Sequence, residues 1–98
     1  MKLEIIFEND TELAEFEALN KGYRGDVIVK IGSSSYKVYV ISMIRLQQDF
    51  ETETRDSGYY LSEPNMIIVK DTTKKEIEDT IIRMFKCKYF EKIDNNRF

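Results

Sequence analysis

The sequence predicts an α+β domain: a mostly antiparallel sheet of four to five strands with two or three helices packed against it. Three observations point there. Apolar residues alternate at period two in the first and middle thirds of the chain. Two longer segments switch to helical spacing. At 98 residues with 42% apolar content, the chain fills one core without disulfides but not two. Residues 1–98 are therefore expected to form one domain, and no repeat, low-complexity tract or Pro/Gly/Ser-rich linker divides them.

The first element, KLEIIFE, sets Leu3, Ile5 and Phe7 against Glu4 and Glu8, with Ile6 as the exception. This is a strand with one covered face. In TELAEFEALNKG, Leu13 and Phe16, with Leu19 or Ala14, fall at helical spacing, and Gly22 suits a left-handed stop. Three turns are marginal without packing, so a short helix and an ordered loop both stay open for this segment. DVIVKI and YKVYVIS are two antiparallel strands joined by the hairpin loop GSSS. Val27, Val29 and Ile31 share one face, as do Tyr36, Val38 and Val40, while Tyr39 and Ile41 point the other way. Apolar residues on both sides imply a central position, or a second face covered by loops or a partner.

SMIRLQQDFETETRDSG is a helix from the N-cap Ser42 to the stop Gly58. Met43, Leu46 and Phe50 lie at i, i+3 and i+7 and are expected to form a narrow buried stripe, with Gln47, Gln48, Asp49, Glu51 and Glu53 in water. NMIIVK, introduced by Pro64, is a continuous apolar run and predicts an interior strand. In TKKEIEDTIIRMFKCKYF, Thr73 and Glu76 have capping-box spacing, and Ile77, Ile81, Met84 and Phe85 make a broad stripe toward the sheet. KYFEKI is either a last short strand through Tyr89 and Phe90 or a packed tail.

The chain has no histidine, so the usual general base and the commonest metal ligand are both missing. Cys87, between Lys86 and Lys88, has no base to pair with. KGYRG and IGSSSY lack the spacing of a phosphate cradle. No catalysis, cofactor or metal is expected. No apolar run approaches the ~20 residues that span a bilayer, so no membrane partner is expected. A lone thiol fits the reducing cytoplasm. Residues 1–20 carry one Lys against six acids, and the whole chain has a formal net charge of −3. That balance argues against nucleic acid and for a basic protein partner.

One connection stands out. DFETETRDSGYYLSEPN places Asp49, Glu51, Glu53, Asp56 and Glu63 around the adjacent Tyr59 and Tyr60, with Arg45 and Arg55 weakening the acidic ring. The tyrosines are either half-buried packing residues or interface residues toward which carboxylates steer a basic partner.

VIVKIGSSSYKVYVISMIRLQQDF, followed by NMIIVKDTTKKEIEDTIIRMF and YFEKID, resembles the immunity proteins of bacterial polymorphic-toxin and contact-dependent inhibition systems. Ile31 and Gly32 fill the turn before a strand, Leu46 the helix opening, and Ile68 and Val69 the strand before the last helix, over about residues 27 to 94. Tryptophan is absent, and VISMIRL stands where the family has a proline-containing strand end. The resemblance implies a protein that binds and blocks a cognate toxin, often a basic nuclease, without catalysis of its own. Its contact residues are then Asp49, Glu51, Glu53, Asp56, Tyr59, Tyr60 and Glu63, and the protein is a monomer or weak homodimer. The rival expectation is a structural or oligomerising protein of a phage or mobile element, self-pairing through an exposed strand edge.

Overall fold

Alternating side chains build a four-stranded sheet in the computed structural model, which describes residues 2–61 and 63–90. The elements run β1 (Leu3–Phe7), α1 (Glu12–Lys21), β2 (Tyr23–Ile31), β3 (Ser34–Ser42), α2 (Met43–Ser57), β4 (Met66–Val69) and α3 (Lys74–Lys86). In space the strands keep chain order, β1-β2-β3-β4. The first two pairings are antiparallel, with Ile5 opposite Val29 and Val29 opposite Tyr36. The third is parallel, with Val40 beside Ile67. A parallel neighbour needs a crossover, and α2 supplies it. The architecture is therefore α+β with a mixed, mainly antiparallel sheet and three helices.

The main core cluster lies on one face. Val27, Val29, Val38 and Val40 from the two central strands are essentially inaccessible, and Ile77 and Ile81 of α3 cover them. Thr73 caps α3 by accepting a hydrogen bond from the Glu76 amide at 3.3 Å. Asp71 steadies that cap, accepting from both the Thr73 amide (3.1 Å) and its hydroxyl (2.7 Å). Within β2 the register shifts between Arg24 and Val27, so the strand begins at Tyr23, earlier than the alternation of DVIVKI indicates. This bulge turns Arg24 inward. Its guanidinium packs 4.6 Å from the Phe7 ring and binds Asp26 at 2.7 Å and the Asn9 carbonyl at 2.9 Å.

Four expectations need correction. The residues 12–21 do form a helix, but Leu13, Phe16 and Leu19 are exposed and only Ala18 is buried. The helix packs through backbone and small-residue contacts, including Thr72 Oγ1 donating to the Ala18 carbonyl at 2.8 Å. Second, α2 buries no residue: Met43 and Phe50 are more than half exposed and Leu46 is half-buried. Its stripe lies over the face that carries Tyr39, Ile41 and Met66, where only Ile41 is closed off from water. Third, β4 is not interior but marginal; Ile67 and Val69 are buried while Ile68 is 47% exposed. A continuous apolar run of four residues does not by itself require cover on both faces. Fourth, of the two readings of KYFEKI the strand fails, since Tyr89 and Phe90 are helical; Phe90 packs instead, closing the core against Tyr36 with ring centroids 5.3 Å apart. The rest of KYFEKI, from residue 91, lies outside the described residues.

Candidate functional site

Because Val38 and Val40 point into the core, Tyr39 and Ile41 must face the opposite side of the sheet. Helix α2 starts directly after β3 at Ser42, whose hydroxyl accepts from the Arg45 amide at 3.2 Å, and runs back over this second face. Arg45 anchors it there. Its Nε binds Asp49 at 2.8 Å, its Nη1 donates to the Lys21 carbonyl at 3.0 Å, and its guanidinium sits 5.1 Å from the centre of the Tyr23 ring. Tyr23 in turn stacks on Tyr39 at 5.8 Å. Gly22 permits the close approach: at φ 80° it adopts a left-handed turn, and a Cβ on it would meet Arg45 Cβ at 2.8 Å.

The chain leaves α2 through Gly58, also left-handed at φ 80°, and returns toward the sheet. Tyr60 packs on Phe50 at 5.4 Å. Asn65 then fixes the start of β4, donating from its side chain to the Lys37 carbonyl at 3.2 Å and accepting at its own carbonyl from the Tyr39 amide, also at 3.2 Å. Between α2, the sheet and this returning segment lies an open cleft of about 410 Å³. Its floor is Tyr39, Ile41 and Met66; its walls are Arg45, Asp49 and Glu53 on one side and Tyr60, Leu61 and Glu63 on the other.

The cleft is electrostatically negative. Arg45 offsets Asp49, but Glu53 and Glu63 form no ion pair among the described residues. Both phenols register this field. Partial burial, followed by the nearby Asp49, Glu63 and Glu53 carboxylates, raises the Tyr60 pKa above its ordinary value. Tyr39 is raised by burial and by Asp49, Tyr23 and Glu63, with Arg45 acting against the shift. At neutral pH the cleft thus presents carboxylate acceptors beside intact phenols, a setting for an ammonium or guanidinium group against an aromatic wall.

Four of the seven expected contact residues, Asp49, Glu53, Tyr60 and Glu63, meet in this cleft. Glu51, Asp56 and Tyr59 do not line it. Glu51 is exposed on α2, Asp56 pairs with Arg55 at 3.3 Å, and Tyr59 stands 61% exposed. Sequence reasoning overlooked the floor. The alternation in YKVYVIS already turned Tyr39 and Ile41 away from the core, but no local signal placed α2 above them. Arg45 counted in the sequence only as a charge diluting the acidic ring; in the fold it holds α2 in place.

Among the described residues no three metal-ligating side chains converge, and no helix is long and apolar enough to cross a membrane. No family model, curated protein or solved structure matches the chain.

Proposed function

We propose that this protein is a non-catalytic binding protein, an immunity protein that neutralises a cognate bacterial toxin in the cytoplasm by direct contact. The observation that carries the reading is the meeting of Asp49, Glu53 and Glu63 with Tyr39 and Tyr60 in one open cleft. Carboxylates at that spot draw a basic surface in, and the aromatic walls retain it once water is expelled. A basic side chain of the toxin enters the cleft, and the adjacent Glu51, Asp56 and Tyr59 form the outer part of the contact.

The test uses the product of the neighbouring reading frame as partner, with binding followed by stopped-flow and by protection of cells expressing it. Glu53→Lys with Glu63→Lys slows association about tenfold or more and flattens its salt dependence. Tyr60→Ala mainly speeds dissociation. Unchanged rates and undiminished protection in both variants would place the contact elsewhere and overturn the reading.

A second reading has one observation in its favour. Ile68 is 47% exposed on the marginal strand β4, which has no outer neighbour among the described residues, and self-pairing there would make an oligomerising component of a phage or mobile element.

A further inference from the structure

Helix α1 and the start of β2 enclose a further pocket, of about 300 Å³. Its floor is made by its two buried residues, Ala18 of α1 and Arg24 of β2, and exposed residues, Asn9 together with Glu17 and Lys21 of α1, stand at its rim. It shares no lining residue with the tyrosine-walled cleft.

Arg24 is only partly satisfied. Its Nε donates to Asp26 at 2.7 Å, and its Nη2 donates to the Asn9 carbonyl at 2.9 Å and to Asp26 at 3.3 Å. Nη1 is buried and has no acceptor among the described residues. A cationic donor kept dry and unpaired is costly, and an anionic oxygen is the strongest acceptor for it. The surrounding charges restrict what can bring that oxygen. Arg24 and Lys21 are matched in number by Asp26 and Glu17, so a bare carboxylate upsets an even count and faces two others. Glu17 and Lys21 stand one helical turn apart, exposed, and form no ion pair among the described residues. Each can take a charge of opposite sign.

We propose that this pocket binds a small zwitterion of the α-amino-acid kind. Its carboxylate accepts from Arg24 Nη1 and lies toward Lys21; its ammonium group lies toward Glu17. Such a ligand adds one charge of each sign and keeps the count even. The volume is at the lower end for a ligand site, which limits the guest to a short side chain, and the methyl groups of Ala14 and Ala18 offer that side chain an apolar wall. The pocket does so whatever the acidic cleft binds.

The experiment titrates the full chain, labelled with ¹⁵N, with L-alanine, acetate and ethylamine, which present both charges, the anion alone and the cation alone. At about 10 mM, L-alanine is expected to shift the amides of Ala18, Lys21 and Asp26 and the Arg24 Nε–H, with acetate and ethylamine roughly tenfold weaker or worse. Lys21→Met and Glu17→Gln, changes at exposed side chains, should each weaken L-alanine roughly fivefold or more at an unchanged melting temperature. Should either variant melt early, the ranking of the three probes on the parent chain decides instead. A pocket silent to L-alanine would overturn the proposal and leave water as the acceptor for Nη1. So would acetate binding as well as L-alanine, binding unaltered in both variants, or shifts centred on Asp49, Glu53 and Glu63, which would put the ammonium group in the acidic cleft.

Discussion

Arg24 and Asp26 show how a single bulge creates a dependency. The register shift sends Arg24 toward Phe7, leaving its side chain 3% exposed, and Asp26 is its one carboxylate partner among the described residues. Its Nη1 has no acceptor within the described residues, so Asp26 bears most of the compensation for burying a charge. Burial works against the Asp26 carboxylate, but the hydrogen bonds from Arg24 and the Asn9 amide outweigh it and lower its pKa below the ordinary value. The sign follows. A carboxyl bound more weakly by protons in the folded than in the unfolded state stabilises the fold above its unfolded pKa. That contribution fades as pH falls through roughly 4 and below. Asp26→Asn is therefore expected to cost about 3 kcal/mol at pH 7, by urea denaturation, and to make the stability profile flatter between about pH 5 and 2 than that of the parent. An equally steep acid limb in the variant would show that other carboxylates govern it.

At the level of elements, α2 and α3 are opposites built from similar patterns. Both carry apolar residues at helical spacing, both have an N-cap hydroxyl, and α2 is the longer. Yet α3 inserts Ile77 and Ile81, both fully buried, between the strands' valines, whereas α2 buries nothing fully and is held by Arg45, Asp49 and the Phe50–Tyr60 contact. A single part-buried ion pair and half-wet ring contacts contribute far less than closed packing. Ile81→Ala is expected to cost about 3 kcal/mol through the cavity it leaves, and Met43→Ala less than about 1 kcal/mol. Hydrogen exchange should follow the same order, α2 amides opening at lower free energy than those of α3. Equal protection of the two helices would mean that the cleft is stiffer than its contacts imply.

For the molecule as a whole, the uneven dressing of the sheet decides how it meets others. One face is closed by α3; among the described residues the second is covered near its β3–β4 end, by α2. The acidic cleft carries Glu53 and Glu63, which form no ion pair among the described residues. Two copies of an acidic chain approaching through such surfaces repel, and β4 offers only four residues for edge pairing. Sedimentation at tens of micromolar is accordingly expected to give the 11.6 kDa monomer or a weakly associating species. A stable oligomer dissolved by Ile68→Lys would favour the self-pairing reading over toxin binding.

Much of this was legible in the residues. Alternation in KLEIIFE, DVIVKI and YKVYVIS is a local consequence of the pleat, so the three antiparallel strands and the inward set Val27, Val29, Val38 and Val40 followed without knowledge of any neighbour. Thr73, Ser42 and the glycines at 22 and 58 announced helix boundaries for the same reason: caps satisfy backbone groups within one turn. Asp49, Glu53, Tyr60 and Glu63 were recognisable as a charged and aromatic group, though not as the walls of a cleft. Only the tertiary structure decided which apolar stripe would be buried, because Ile77 and Ile81 find valines across from them while Phe16 and Met43 find no such surface. It alone placed β4 at the margin, laid α2 over Tyr39 and Ile41, and thereby separated Glu51 and Asp56 from their acidic neighbours. Spacing along a helix defines a face; what lies opposite that face depends on residues far away in the chain.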